Sequence, residues 1–396
     1  MYWGYTVGTI KSSQHREADT MNQLPAYYPH EPELLDQLAQ VLSNISFDNI
    51  EAASEQLVNP APCVLDDMGP DTISSEHRGY CINKLDSENR GEPRASKIGQ
   101  PAIAEDANAH QRIHKLFGDS QIPHLQRAIV VGEEAGRGAW DAAMEAPQGA
   151  MVVDIDPIDG SSNYDSLGHG FSTNMCVYVK TAGGKNFRLV LSMVTGDHHC
   201  VVWQIGNKVF VRSRKGRFVQ IDEPIAKVPR DGYIATVAAM AHHRARVAPL
   251  METASDPSWS LPLYETGGRQ FHDPAPAVYT MGGAPATIGL AICRISAAVT
   301  TSPQTIHDTA GVPALLALNL PMYDAEGPVD RVALMERFNQ LDSPDSQNYT
   351  PIPPLVIGRD EKFVALIAER TFHSEPMDLV AVPRRPKFTV FGGGTA

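Results

Sequence analysis

Apolar residues recur at helical spacing from Leu34 to Leu57 (Leu35, Leu38, Val41, Leu42, Ile45), which predicts one or two helices. Residues 59–100 are rich in Pro, Gly, Ser and charge. They predict a loop-rich stretch, with a short helix near Glu76 to Leu85. Asp106 to Phe117 suits a helix. Ala128 to Gly132 and Met151 to Ile155 are short apolar strands. Thr173–Lys180, Phe187–Val194, His199–Ile205 and Lys208–Arg212 alternate in β fashion. Turns at Gly196-Asp197 and Gly206-Asn207 make them an antiparallel meander. A second pattern starts at Ile234 to Met240, a strand. Apolar helices are predicted at Thr287–Ala297 and Ala310–Leu320, a strand at Pro354–Ile357 and a helix at Glu361–Glu369. The class is α/β, with sheets layered between helices.

Composition narrows the function. The 396 residues carry 46 acidic against 33 basic side chains, a formal net charge of -13. Such a surface repels nucleic acid and anionic membrane, so neither is an expected partner. It also repels phosphorylated metabolites unless a cation intervenes. No run of about 18 apolar residues exists to span a bilayer, and Met1 to Gly8 lacks the basic region of a secretory signal. The five cysteines, Cys63, Cys81, Cys176, Cys200 and Cys293, form no CxxC. They read as reduced thiols in a cytoplasmic protein.

The chemistry concentrates in Val152 to Leu167, VVDIDPIDGSSNYDSL. An apolar strand delivers Asp156 and Asp159 around a turn stiffened by Pro157 and opened by Gly160. Two carboxylates so placed can converge on a hard divalent cation. The backbone N–H groups of Gly160, Ser161 and Ser162 follow, at the start of a helix, and suit a phosphate. Carboxylates for metal beside amides for phosphate point to metal-assisted phosphoryl transfer. An Asp-rich turn with no such role has the same short pattern. Glu133-Glu134 ends the preceding strand, Glu105-Asp106 opens a helix upstream, and Asp308 precedes an apolar helix downstream. Asp106 and Asp308 each also have an ordinary use as a helix N-cap.

Over roughly residues 95–372 the chain resembles the metal-dependent, often lithium-sensitive phosphatases that include fructose-1,6-bisphosphatase and inositol monophosphatase. The resemblance rests on four motifs in order: Glu105-Asp106, Glu133-Glu134, Asp156-Pro157-Ile158-Asp159-Gly160-Ser161 and Asp308-Thr309-Ala310-Gly311. DGSSNYD is similar to the bisphosphatase branch, whereas HDTAG is similar to the inositol phosphatase branch. The resemblance implies an αβαβα sandwich in two lobes. Outside it, composition makes residues 1–32 a polar, irregular extension closed by Pro25, Pro29 and Pro32, and 373–396 an extended tail rich in Pro and Gly. The resemblance would make 33–225 the lobe with most metal ligands and 226–372 the lobe completing the site. It implies two or three Mg²⁺ ions, with Mn²⁺ able to substitute. Glu133, Asp156 and the Ile158 carbonyl would hold one ion, and Asp156, Asp159 and Asp308 another. Asp106, with Glu134 or the Ser161 hydroxyl, would orient and deprotonate the attacking water. Gly160, Ser161 and Ser162 would hold the phosphate. From the residues themselves, Arg269 with His272 in GGRQFHD is a candidate to approach substrate from the second lobe, and Gly282-Gly283 either lets the backbone approach a ligand closely or forms a turn. The substrate would be a small sugar or cyclitol phosphate, most like fructose 1,6-bisphosphate, and the assembly a homodimer or homotetramer. Alternatives are inositol monophosphatase or 3′-phosphonucleotide phosphatase activity, or a non-catalytic relative acting as a binding protein. A dead relative would be expected to lose a carboxylate, and none is missing.

Other features suggest structure more than chemistry. Adjacent histidines, His198-His199 and His242-His243, point to opposite faces of a strand and rarely chelate. The basic run Arg212, Arg214, Lys215 and Arg217 reads as a solvated hairpin, one member of which could meet a second phosphate.

Overall fold

A computed structural model of the chain describes residues 32–57, 73–74, 80–82, 102–132, 135, 137–181, 187–224, 234–236, 247–250, 278–292, 295–342 and 349–374. Helix α1 (Pro32–Gln56) leads to three short strands, β1 (Ile73–Ser74), β2 (Tyr80–Ile82) and β3 (Ala102–Ile103). Helices α2 (Ala104–Gly118) and α3 (Pro123–Gln126), strand β4 (Ile129–Gly132) and helix α4 (Arg137–Glu145) come next. Strand β5 (Met151–Asp159) and helix α5 (Ser161–Leu167) follow. Strands β6 (Ser172–Lys180), β7 (Phe187–Gly196), β8 (Cys200–Ile205), β9 (Lys208–Ser213) and β10 (Val219–Ile221) form the meander. The remainder holds β11 (Ile234–Thr236), β12 (Val278–Thr280), α6 (Pro285–Ala291), β13 (Ala297–Val299) and a 3₁₀ turn (His307–Thr309). It ends with α7 (Val312–Ala317), β14 (Met322–Asp324), β15 (Gly327–Pro328), α8 (Arg331–Phe338), β16 (Val356–Gly358), α9 (Glu361–Ala368) and a π-helical turn (Glu369–His373).

The large sheet has seven strands in the order β10-β9-β8-β7-β6-β5-β4. Only β4 and β5 run parallel, joined through α4, as a parallel pair requires a crossover. A second sheet has six strands in the order β12-β11-β13-β16-β14-β15. On one face of the large sheet, Leu38, Leu42 and Phe47 of α1 and Ile113 and Phe117 of α2 cover Val153, Ile155, Met175 and Leu191. On the other face, Val152, Cys176, Tyr178 and Val194 meet Ile288 of α6, Leu315 of α7 and Phe338 of α8. The same helices reach Met322 and Ile357 of the second sheet. Beyond it, Ile234, Val299 and Val356 pack under Phe363, Val364 and Ile367 of α9. The order is helix, sheet, helix, sheet, helix, which is the expected layered sandwich. Strands enclosed on both faces are apolar almost without interruption, so a polar residue inside one is conspicuous.

Three expectations change. Tyr80–Ile82 is a strand paired with β3, not part of a helix over 76–85. Its aromatic and β-branched residues suit that pairing. The apolar run 287–297 divides into a helix that starts earlier, with Pro285 in its first turn, and the start of strand β13. Periodicity alone does not separate a buried helix from a buried strand. The predicted helix 310–320 shortens to Val312–Ala317, again with a proline in its first turn. Of the strand predicted over 234–240, Ile234–Thr236 is seen and the rest lies outside the described residues.

Candidate metal centre

Strand β5 pairs with β6 in register up to Asp156↔Asn174, then resumes at Asp159↔Ser172. The irregularity falls on Pro157, which has no N–H for the ladder, and Ile158. It turns Asp159 toward the same space as Asp156. The Asp156 carboxylate accepts the Ile158 N–H at 3.1 Å. Gly160 then takes a left-handed conformation at φ 89, and a Cβ there would sit 2.9 Å from the Gly170 carbonyl oxygen, so glycine fits where other residues would strain. Helix α5 starts immediately, its first ladder bond running from Asn163 N–H to the Gly160 carbonyl at 2.8 Å. The N–H groups of Ser161 and Ser162 therefore belong to the unladdered first turn.

Asp308 arrives from the far side on the 3₁₀ turn. It does not cap the following helix, whose N-cap is Gly311. Its carboxylate instead accepts the Thr305 N–H at 3.3 Å. Asp156, Asp159 and Asp308 each bring a carboxylate oxygen to within 4.8 Å of the others. No other such cluster of His, Cys, Asp or Glu occurs among the described residues. Burial pushes the Asp159 carboxyl up to about 7, the Asp308 charge adds to the rise, and the Ala284 N–H, Asn174 and His307 oppose it. Buried like charges at this range are unfavourable unless neutralised. The donor set is all hard oxygen, so it fits Mg²⁺ or Mn²⁺ better than Zn²⁺.

The charge has a measurable sign. Burial, with the Asp308 charge, holds the folded Asp159 carboxyl up at about 7, against an ordinary 3.8. Between those values the folded, cation-free chain holds a proton that the unfolded chain has lost. Stability from this group is full below about pH 4 and declines as pH rises toward 7. Melting temperatures of chelated protein across this window should fall more steeply with pH for the wild type than for Asp159→Asn. Identical slopes would show that Asp159 is not the strained group.

The remaining predicted residues divide. Asp106 lies buried in the first turn of α2, and its Oδ1 is 3.4 Å from the Ser161 hydroxyl. That hydroxyl also donates to the Ile158 carbonyl at 3.0 Å, which leaves the carbonyl a second lone pair. Gly282 packs against the centre, since a Cβ there would lie 3.1 Å from both Asp159 carboxylate oxygens. The Ala284 N–H donates to Asp159 at 2.7 Å. The Gly282-Gly283 segment is thus in contact with the centre and more than a remote turn. Glu133, Glu134, Arg269 and the Ser162 side chain lie outside the described residues, as does His242-His243.

The basic run has a structural use. Arg212 donates to Ser43 at 2.9 Å and Asn44 at 2.8 Å and lies 4.9 Å from the Phe218 ring, while Arg214 pairs with Asp48 and Glu51. Both tie the meander to α1. His198 pairs with Asp197 at 2.5 Å, and His199 occupies the turn at φ 54.

Three contributors went unread in the sequence. Asn49 of α1 donates to the Pro157 carbonyl at 3.1 Å and to Thr173 at 2.9 Å, and receives Arg112 at 2.6 Å. Asp154, two residues before Asp156, is buried within β5, and His307 is buried beside Asp308. Asp154 carried a signal, because a lone carboxylate inside an apolar strand needs a partner.

No family model matches the chain, and no curated protein matches it. Solved structures are similar at low identity. An IMPase/NADP phosphatase complexed with Mg²⁺ and phosphate is 15% identical at a TM-score of 0.45, covering 84% of this chain and 95% of that one. The extragenic suppressor protein suhB from Bartonella henselae is 14% identical at 0.45, covering 85% and 98%. SuhB of Mycobacterium tuberculosis is 12% identical at 0.46, covering 85% and 97%.

Proposed function

We propose that this chain is an Mg²⁺-dependent phosphatase, a phosphoric monoester hydrolase acting on a small sugar or cyclitol phosphate. The observation that supports it most is the meeting of Asp156, Asp159 and Asp308, from both halves of the chain, in one cluster in which the first two are buried and Asp308 is partly exposed. Glu133 and the Ile158 carbonyl would join Asp156 at one cation, and Asp159 and Asp308 would join it at the other. Bound cations would activate water and neutralise developing charge on the ester. Asp106, beside the Ser161 hydroxyl, would accept the water's proton and hold its direction of attack. The N–H groups of Gly160, Ser161 and Ser162 would orient the phosphate oxygens. Arg269 and the Gly282-Gly283 backbone would bound the organic half of the substrate. The motif DGSSNYD supports fructose 1,6-bisphosphate as the first candidate.

Phosphate release in Mg²⁺ should be compared for fructose 1,6-bisphosphate, inositol phosphates, other sugar phosphates and adenosine 3′,5′-bisphosphate. The expected result is turnover of a sugar or cyclitol ester at least about tenfold faster than of the nucleotide, a difference of roughly 1.4 kcal/mol in transition-state binding. Preference for the nucleotide would overturn the substrate class while leaving the metal centre standing.

A further inference from the structure

We infer that Asp154, Asn174 and His307 form a buried clamp that positions Asp308 for cation binding. The inference rests on the metal-centre reading above. Asp154 and Asp156 are two apart in β5, so their side chains share one face of the strand. His307 and Asp308 are adjacent on the 3₁₀ turn, which packs against β5 and β6. The histidine therefore lies beside Asp154 as Asp308 lies beside Asp156.

The clamp grips His307 at two points. Its Nδ1 is 3.3 Å from Asp154 Oδ1, with both side chains 1% exposed. Its carbonyl accepts the Asn174 side-chain N–H at 3.0 Å. The Asn174 Oδ1 in turn accepts the Ser172 hydroxyl at 2.7 Å, which fixes the amide's orientation. Across the ring, His307 Nε2 stands 3.9 Å from Asp308 Oδ1. The turn carrying Asp308 is thus fastened to two strands of the large sheet. The Asp154–His307 contact is at hydrogen-bond range but off-line, and Asp154 Oδ1 has no aligned donor among the described residues. A buried carboxylate in that condition is costly. The His307 Nδ1, at 3.3 Å, is within reach to supply that donor. Groups behind a metal ligand set its direction, and losing one typically weakens cation affinity by 10- to 100-fold.

The test is Mn²⁺ titration calorimetry on the chelator-stripped full chain, with melting temperature as the folding control. Removing one partner strands the other, so Asp154→Ala alone can fail to fold. The double variant Asp154→Val/His307→Leu replaces both by apolar groups, which is close to neutral for folding. It should melt near wild type yet bind Mn²⁺ about 10- to 100-fold more weakly. Asp154→Asn keeps an acceptor for Nδ1–H and should stay within about threefold of wild type. Asp308→Asn, which removes a proposed ligand, sets the scale of full loss. Wild-type affinity in a folded double variant would overturn the clamp while leaving the centre intact. A wild-type chain that binds no Mn²⁺ would overturn the centre, and the clamp with it.

Discussion

Asp159→Asn is expected to abolish Mg²⁺-dependent phosphate release while leaving the chain folded. The substitution keeps the shape of the side chain and an oxygen to accept the Ala284 N–H, now seen at 2.7 Å. It removes the charge that a cation needs. A loss of about 4 kcal/mol of charge stabilisation corresponds to roughly a thousandfold in rate. The same change relieves repulsion with Asp308, which helps hold the Asp159 carboxyl near 7. The chelated variant should therefore melt no lower than wild type at pH 8. Activity gone with the fold retained is the signature of a ligand. Activity retained would remove Asp159 from the centre.

The second large effect lies in α1. Asn49→Ala removes one amide that serves Pro157, Thr173 and Arg112 together. Arg112 continues to Glu105 at 2.6 Å, next to Asp106. Burial raises the Glu105 carboxyl, with Arg112 opposing the rise. One asparagine thus joins the turn that carries Asp156 and Asp159 to the helix start that carries the proposed base. Stranding its partners should cost about 3 kcal/mol and lower the melting temperature by on the order of 5 °C. The turn would also shift, and a displacement of about 1 Å at reacting groups can cost about a hundredfold in rate. Thermal melts and phosphate release on the same sample check both. A variant that melts lower but turns over normally would limit Asn49 to a packing role.

The sequence made some of this legible for clear reasons. The meander announces itself through alternation and glycine turns, and α1 through helical spacing. Asp156 and Asp159 are visible because a proline and a glycine punctuate the strand that holds them. Asp308 by itself reads as a cap; only the order of motifs marks it, and the 3₁₀ turn shows why capping is not its work. In the second sheet β11 and β16 are legible as apolar runs, whereas β12 to β15, two or three residues each, fall below the length at which periodicity is readable. Asn49 was hidden because a polar residue on a long surface-type helix has no distinctive pattern. Its role depends on the packing of α1 beneath a strand far along the chain. Asp154 was visible as an odd residue in VVDID, but its partner comes from the other sheet's half of the chain, and no local rule connects them.

The most direct measurement is phosphate release by the full chain from fructose 1,6-bisphosphate and inositol phosphates. It should be read first in excess chelator and then after restoring Mg²⁺ or Mn²⁺. The Asp156, Asp159 and Asp308 cluster predicts negligible release without the cation and turnover on its return, lost again in Asp159→Asn. Release that ignores the chelator, or no release with either cation on any of these esters, would contradict a metal-dependent phosphatase.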